Sequence, residues 1–407
     1  MRILWVKSGK MLPVDTGGKI RSYNILRHLI QTHEVTFFSD YGGKPDPGYE
    51  EEIALELPGA QTIHTDAQQG GNLGQYFGYV RGIFRAAPFA VSNFADARMR
   101  RQVASWLDER HFDVAVCDFL VASINFPRIL VTPTVLFQHN VESSLWKRRA
   151  ATESNLVRRL AYKLEAAKMD RYEKSEIRRF HLIIAVSDHD RRQMLEMGAS
   201  EVSVVPTGVD THKYQVSPPA IANPPRIVFT GSMDWEPNID AVNYFCREIL
   251  PGVRKELPEA LFQIVGRKPP TSVKRLACDY VQVTGTVPSV SDYLRDATVV
   301  VVPLRAGAGT RLKIFEAMAM GKAVISTSIG AEGLDVHNGS DIILADEPAA
   351  FANAIVRLTR EPGLRRQYEL AAVKLASHYD WSNVANSFAD ALLRACSMKP
   401  VLPRKNA

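Results

Sequence analysis

The chain has 407 residues and a formal net charge of +6, with 46% hydrophobic and 23% charged residues. This length suits two domains of about 200 residues each, and the composition excludes a disordered or fibrous protein. The four cysteines have no metal-ligand or redox spacing, which predicts free thiols in a reducing compartment. No apolar run reaches the roughly 18 residues that span a bilayer, so we predict a cytoplasmic protein and not an integral membrane protein.

Strand-like and helix-like segments alternate along the first half of the chain. A helix is predicted over 20–31, and the predicted strands are 2–6, 34–39, 112–117, 134–138, 179–187 and 202–206. Continuous apolar strands separated by helices are typical of a parallel sheet covered on both faces. We therefore predict a Rossmann-like domain over residues 1–210.

A proline-rich segment divides the chain. Residues 216–226 contain four prolines, which exclude a helix or a central strand there. We therefore place a linker at 211–226 and a second domain at 227–378. The remaining residues, 379–407, are predicted to form a helix and tail that pack on the first domain.

The second half repeats the alternation of strands and helices. Its predicted strands are 227–230, 261–265, 281–284, 299–302 and 323–326, and its predicted helices are 240–250, 312–320 and 381–395. The predicted fold class is α/β, with two tandem Rossmann-like doubly wound domains facing a cleft. Ligands of such sheets bind outside the carboxyl ends of the strands.

Two candidate sites lie in the first domain. Gly17 and Gly18, after the first strand, would let backbone amides approach a ligand at a helix N-terminus, which favours negative charge. No dinucleotide fingerprint or Walker A motif supports them, so a plain glycine turn is the alternative. His139 follows the strand 134–138, where it could bond a sugar hydroxyl or assist proton movement. A structural histidine is the alternative.

The densest group of candidate residues follows the strand 299–302. A glycine-rich loop leads there into a helix, and the candidates are Gly309, Thr310, Arg311, Lys313 and Glu316. Backbone amides, the helix dipole and two cations suit a diphosphate. The carboxylate of Glu316, one helical turn after Lys313, can accept hydrogen bonds from the two vicinal hydroxyls of a ribose. The alternative is a solvated Arg/Lys turn with a helix salt bridge.

Three segments resemble the GT-B fold glycosyltransferases of family 4. They are 207–210, 230–241 and 303–327, the last containing the block Glu-Ala-Met-Ala-x-Gly that begins at Glu316. The likeness covers nearly the whole chain. It implies a retaining transferase that needs no metal or cofactor, with a nucleotide-diphosphate sugar as donor. The implied acceptor is a glycan or lipid-linked precursor of cell-envelope polysaccharide.

The resemblance is incomplete at the donor site. Family members carry two glutamates eight positions apart, and Glu316 matches the second, which the resemblance assigns to the donor ribose. Ala308 stands at the position of the first, which normally touches the transferred sugar.

Many relatives also place Arg and Lys in the loop 231–238, where this chain has neither. We therefore expect Arg311 and Lys313 to supply the phosphate charge, with Arg267 as a weaker candidate. The resemblance also assigns Gly231 and Val287 to the nucleotide site. The residues predicted to act in catalysis are His139, Arg311 and Lys313.

Most of the net charge lies in residues 141–180, where 11 Lys/Arg and 6 Asp/Glu give 11 − 6 = +5. Such a surface attracts an anionic membrane, which predicts peripheral contact at its inner face; a solvated charged helix is the alternative. No recognition motif supports binding of nucleic acid. Other functions stay open: a nucleotide-sugar epimerase or phosphorylase-like enzyme on the same fold, or a non-catalytic nucleotide-sugar or glycan-binding module.

Overall fold

The computed structural model describes most of the chain, namely residues 1–65, 87–109, 111–216, 223–306 and 311–398. The chain divides into two compact units. Unit 1 comprises Met1–Pro206 and Val384–Ala407, and unit 2 comprises Thr207–Asn383.

Among the described residues, unit 1 is built on a seven-stranded parallel sheet with the order β3-β2-β1-β4-β5-β6-β7. The strands are β1 (Arg2–Ser8), β2 (Glu34–Tyr41), β3 (Gln61–His64), β4 (Val114–Asp118), β5 (Thr134–Phe137), β6 (Leu182–Ala185) and β7 (Val202–Val204). Every residue of β4 and β5 is buried, so both faces of the sheet are covered there.

The helices of unit 1 are α1 (Gly17–Leu29), α2 (Pro47–Glu56), α3 (Phe89–Ser92), α4 (Ala97–Asp108), α5 (Glu142–Thr152), α6 (Leu156–Arg179) and α7 (Asp188–Glu196). A 3₁₀ turn spans Leu120–Asn125. Because β1 lies between β2 and β4, the strand order changes direction at β1. The carboxyl ends of β1 and β4 are therefore the expected place for a ligand.

Unit 2 contains, within its described residues, a six-stranded parallel sheet with the order β10-β9-β8-β11-β12-β13. The strands are β8 (Arg226–Thr230), β9 (Leu261–Val265), β10 (Val281–Gly285), β11 (Val299–Val302), β12 (Val324–Ser326) and β13 (Ile343–Leu344). The order changes direction between β8 and β11, which marks the corresponding ligand position. The parallel sheets confirm the predicted α/β class.

The helices of unit 2 are α8 (Glu236–Tyr244), α9 (Leu250–Glu256), α10 (Thr271–Lys274), α11 (Val290–Asp296), α12 (Leu312–Ala319), α13 (Pro348–Arg360) and α14 (Pro362–His378), with a π turn at Phe245–Ile249. The last helix, α15 (Trp381–Ser397), begins in unit 2 and continues into unit 1. Its Phe388 stacks on Trp5 with ring centroids 5.2 Å apart, so this helix closes the core of unit 1.

The division between the units falls before the predicted linker 211–226. Val209 pairs with Asp380, and both Val209 and Tyr214 are buried in the core of unit 2. The boundary depends on which core receives these apolar side chains, and a pattern of prolines does not record that.

Candidate active site

A buried carboxylate organises the carboxyl edge of the sheet in unit 1. Asp118, the last residue of β4, accepts hydrogen bonds from Trp5 Nε1 at 3.1 Å and from Lys7 Nζ at 3.0 Å, both from β1. Although burial opposes it, the charge of Lys7 and the hydrogen bond from His139 hold the pKa of Asp118 well below its usual range. The strand ends are thus joined by a buried ion pair that needs both partners.

His139 is held in this network by both ring nitrogens. Its Nε2 lies 2.8 Å from Asp118 Oδ1, and its Nδ1 lies 2.5 Å from a terminal nitrogen of Arg21. Burial and the charge of Arg21 lower the pKa of His139 to about 3, so the ring is neutral at pH 7. Because Arg21 can only donate, Nδ1 accepts and Nε2 donates to Asp118. The predicted contact with a sugar hydroxyl would require His139 to release one of these partners.

Gly18 lies against the aromatic side chains of this edge. A Cβ atom there would be 2.7 Å from two ring carbons of Phe119. Phe119 has a positive φ of 76° and stacks on His139 with ring centroids 4.0 Å apart. Aromatic packing therefore explains a glycine at 18. The predicted approach of a ligand to Gly17 and Gly18 stays a prediction.

In unit 2, Lys313 reaches the loop that follows β8. Its Nζ donates to Asn238 Oδ1 at 2.8 Å and lies 4.2 Å from the centroid of the Phe229 ring. A Cβ atom on Gly231 would be 2.8 Å from Lys313 Nζ and 2.7 Å from Asn238 Nδ2, so only glycine fits between them. Burial, together with the charge of Arg311, lowers the pKa of Lys313 to about 7.

Glu316 lies one turn after Lys313 on α12, so the two side chains share a face of the helix. Tyr214 donates a hydrogen bond to Glu316 Oε1 at 3.0 Å. Burial raises the pKa of Glu316, and the bond from Tyr214 opposes that rise. Glu316 is half-buried, and Tyr214 bonds to one of its carboxylate oxygens. The other oxygen can still accept hydrogen bonds from hydroxyl groups.

Arg311 is oriented differently from Lys313. It precedes α12 in the left-handed conformation, with φ of 49°. Its guanidinium donates to the carbonyl of Ile329 at 2.9 Å and lies 4.0 Å from Glu332. That Arg311 and Lys313 act together at a diphosphate stays a prediction: the charge of Arg311 helps to lower the pKa of Lys313, while the two side chains donate to different partners, Ile329 and Asn238.

The other predicted residues of the nucleotide site are Arg267, Val287, Gly309 and Thr310. Arg267, just after β9, donates from Nε to Ser232 Oγ at 2.8 Å. Val287 packs its side chain against the core of unit 2, and a role for its backbone stays a prediction. Gly309 and Thr310 lie outside the described residues.

Several residues of these networks escaped the sequence-based prediction. They are Lys7, Arg21, Asp118, Tyr214, Ser232 and Asn238. Asp118 ends a buried strand, which is a usable signal. Arg21 and Tyr214 carry no such signal, because their partners lie about a hundred residues away.

Over residues 1–65, 87–109, 111–216, 223–306 and 311–398, no three His, Cys, Asp or Glu residues are grouped as metal ligands. In the same part of the chain, no helix combines the length and hydrophobicity needed to cross a bilayer.

Two family profiles match the chain. Residues 16–213 match the profile described as Glycosyltransferase Family 4, and residues 224–361 match the one described as Glycosyl transferases group 1. The first match covers most of unit 1, and the second covers all six strands of the sheet of unit 2.

The curated relatives include phosphatidyl-myo-inositol mannosyltransferases. That of Mycobacterium leprae is 30% identical over 214 residues, 50% of this chain and 56% of the relative. That of Mycobacterium tuberculosis (strain H37Rv) is 28% identical over 219 residues, 50% of this chain and 57% of the relative. An uncharacterized 44.6 kDa protein of the Klebsiella pneumoniae cps region is 24% identical over 172 residues, 40% of this chain and 44% of that protein. The matched segment therefore spans about half the length of the mycobacterial relatives.

Solved structures resemble the chain over almost its whole length. Sucrose-phosphate synthase from Thermosynechococcus elongatus has a TM-score of 0.67 at 16% identity, over 97% of this chain and 98% of that one. Anabaena HepE in complex with UDP has a TM-score of 0.64 at 16% identity, over 97% of this chain and 100% of that one. At such identities the likeness concerns the fold. Together with the two profiles, it shows that this chain belongs to family 4 of the glycosyltransferases and has the GT-B fold.

Proposed function

We propose that this protein is a retaining glycosyltransferase that acts without a metal ion. It transfers a sugar from a nucleotide-diphosphate donor to a glycan or glycolipid acceptor of the cell envelope. The observation that carries the proposal is the placement of Lys313 and Glu316 one turn apart on α12, after the strand where the order of the unit 2 sheet changes direction.

Each donor group has a complementary residue in unit 2. The carboxylate of Glu316 accepts hydrogen bonds from the ribose hydroxyls, and the ammonium of Lys313 faces the diphosphate. Two comparisons support this choice of ligands: HepE was solved with UDP, and the mycobacterial relatives are named mannosyltransferases of phosphatidyl-myo-inositol. The acceptor is assigned to unit 1, at the carboxyl edge where Asp118 and His139 fix the strand ends.

The proposed reaction exchanges one bond at the anomeric carbon of the donor sugar. The bond from this carbon to the diphosphate oxygen breaks, and a bond from the acceptor oxygen forms on the same face. The departing diphosphate takes the acceptor's proton, so no protein carboxylate is needed as a nucleophile. Lys313 stabilises the negative charge that develops on the leaving group.

The first experiment is thermal unfolding with ADP, GDP and UDP in the presence of EDTA. One nucleoside diphosphate at about 100 times its Kd should stabilise the protein by about 2.7 kcal/mol. The matching nucleotide sugar is then incubated with candidate acceptors, and transfer is followed by release of the nucleoside diphosphate. A protein that binds none of the three nucleotides would contradict the donor assignment.

The alternatives give different outcomes in the same assay. A binding module would show the thermal shift and release no nucleoside diphosphate with any acceptor. An epimerase would convert the donor without an acceptor, and the family comparisons do not favour it. Loss of activity in EDTA, restored by a divalent cation, would contradict the metal-independent mechanism.

We also propose peripheral contact with an anionic membrane, through one face of α6. Leu156, Val157, Leu160 and Leu164, here called the α6 apolar stripe, are 69%, 79%, 62% and 47% exposed. Leu156, Leu160 and Leu164 follow one another at intervals of four residues and so share a face of α6. The exposed charged residues around the stripe are cations, namely Lys147, Arg148, Arg149, Arg158 and Lys163. The nearby carboxylate of Glu165 is buried and lies 3.8 Å from Lys168.

Vesicle sedimentation tests this surface. Replacing Arg148, Arg158 and Lys163 together by Gln should weaken binding to phosphatidylglycerol vesicles roughly 100-fold, because each cation near the surface contributes about 1 kcal/mol. Replacing the three leucines of the stripe by Ser should weaken binding as well. The matched control is Leu55→Ser, since Leu55 is 83% exposed on α2. Equal binding to phosphatidylglycerol and phosphatidylcholine vesicles would disprove the contact.

A further inference from the structure

The loop after β8 lies where the strand order changes direction but contains no cation. Residues 231–238 include Asp234 and Glu236 and neither Lys nor Arg. A diphosphate carries several negative charges, so its cations must come from neighbouring elements. The neighbours of β8 are β9 and β11, and the chain after each of them supplies a cation to this loop: Arg267 and Lys313.

The first cation, Lys313, is held by Asn238. Asn238 is 3% exposed, and its Nδ2 donates to the carbonyl of Ser232 at 2.8 Å. This bond fixes the amide plane, so that Oδ1 accepts from Lys313 Nζ at 2.8 Å. An ammonium has three donors, and this bond uses one of them. Because Gly231 has no side chain, Lys313 can lie against the loop backbone.

The second cation, Arg267, is held by Ser232. The hydroxyl of Ser232 accepts from Arg267 Nε at 2.8 Å and donates to Asp234 Oδ1 at 2.6 Å. Asp234 also lies 3.6 Å from Lys268 Nζ, so its negative charge is balanced by a neighbouring cation. A bond at Nε leaves the two terminal nitrogens of a guanidinium to form the paired contacts that suit a phosphate.

We propose that Arg267 and Lys313 are the diphosphate-binding cations of this chain, and that Ser232 and Asn238 are their positioning residues. Arg311 is left out of this pair, because its guanidinium donates to the carbonyl of Ile329 and lies 4.0 Å from Glu332. The inference rests on the proposed donor site and names the residues that serve it. It is an alternative to the pairing of Arg311 with Lys313 that the sequence predicted.

Calorimetric titration with inorganic pyrophosphate tests the proposal, because pyrophosphate carries the group shared by all nucleoside diphosphates. Lys313→Met and Arg267→Gln should each weaken binding at least tenfold. Asn238→Ala should weaken it less, and the double variant with Lys313→Met should bind no more weakly than Lys313→Met alone. Arg311→Gln should weaken pyrophosphate binding less than Lys313→Met or Arg267→Gln does. The control Arg275→Gln, at an exposed position after α10, should stay within about twofold of the unchanged protein.

The pH dependence separates positioning from a general loss of structure. The pKa of Lys313 is about 7 in the free protein, and a bound phosphate raises it because opposite charge favours the protonated form. The part of the affinity that depends on Lys313 should therefore fall as the pH rises above about 7. Asn238→Ala should move this decline to lower pH, since it removes a hydrogen bond to the charged ammonium. Lys313→Met should abolish this part of the profile.

Two results would overturn the inference. One is a large loss of pyrophosphate affinity in Arg311→Gln with none in Lys313→Met and Arg267→Gln, which would leave the donor site in place with other cations. The other is additive losses in Asn238→Ala and Lys313→Met, which would show that Asn238 does not act through Lys313. A wild-type protein that binds neither pyrophosphate nor any nucleoside diphosphate would contradict both this inference and the proposed function.

Discussion

Asp118→Asn is expected to destabilise the protein by about 3–5 kcal/mol, the usual cost of breaking a buried ion pair from one side. Lys7 is 4% exposed, and without the carboxylate its charge would have no counter-ion within hydrogen-bonding distance among the described residues. The amide of asparagine also presents a donor where Trp5, Lys7 and His139 all donate. Urea unfolding followed by tryptophan fluorescence measures the loss, with Trp5 as a reporter inside the network.

The matched control is Asp113→Asn. Asp113 forms an ion pair with Arg2 at 3.2 Å, and both side chains are largely exposed. Exposed pairs contribute about 0–1 kcal/mol, so this variant should unfold near the wild-type midpoint. An Asp118→Asn protein as stable as the control would show that the buried pair does not form.

The same network contributes to how stability responds to acid, through His139. His139 has a pKa of about 3 in the folded protein against an ordinary value of 6.5. Below about pH 6.5 the His139 ring takes up a proton in the unfolded chain but stays neutral in the folded protein. The contribution of His139 to the free energy of unfolding is therefore fully present at neutral pH and is lost as the pH falls from 6.5 towards 3. The part of the free energy of unfolding that depends on His139, measured as the difference between the unchanged protein and a His139→Gln variant, should therefore be smaller at pH 5 than at pH 7.

Glu316→Ala is expected to lower the affinity for the matching nucleoside diphosphate by about 10- to 100-fold. Hydrogen bonds to a charged group contribute about 1.5–3 kcal/mol, and the variant removes those from the ribose hydroxyls. The sharper measurement compares the ribonucleotide with its 2′-deoxy analogue. The unchanged protein should prefer the ribonucleotide, and Glu316→Ala should bind both almost equally.

Two further variants test the role of Glu316. Tyr214→Phe keeps the carboxylate but removes the hydrogen bond at 3.0 Å that orients it, so an intermediate loss is expected. Glu256→Ala, at an exposed carboxylate paired with Arg360, is the matched control and should not change nucleotide affinity. If Glu316→Ala retains the preference for ribose, the carboxylate does not contact the sugar of the nucleotide.

Much of the fold was predictable because parallel α/β structure leaves a local signal. Val299–Val302 is a continuous apolar run, Leu261–Val265 is apolar apart from Gln263, and both strands have the predicted bounds. The short strands β3 and β13 were missed, because Gln61–His64 contains a single strongly apolar residue and Ile343–Leu344 has only two residues.

The sequence by itself determined the α/β class, the family and the two residues at the centre of the proposed donor site, Lys313 and Glu316. These depend on periodicity and on short motifs, which are properties of neighbouring residues. Only the tertiary structure decided what each charged group faces. It directed Arg311 to Ile329, and Lys313 to Asn238, 75 positions away.

The same holds for His139 and the α6 apolar stripe. A histidine after a buried strand is compatible with a free or a buried ring, and folding placed it between Arg21 and Asp118, 118 and 21 positions away. Leucines at helical spacing usually indicate a core face, and only the structure showed that those of α6 are exposed. Partners and exposure depend on which distant segments pack together, and a local pattern of residues carries no record of that packing.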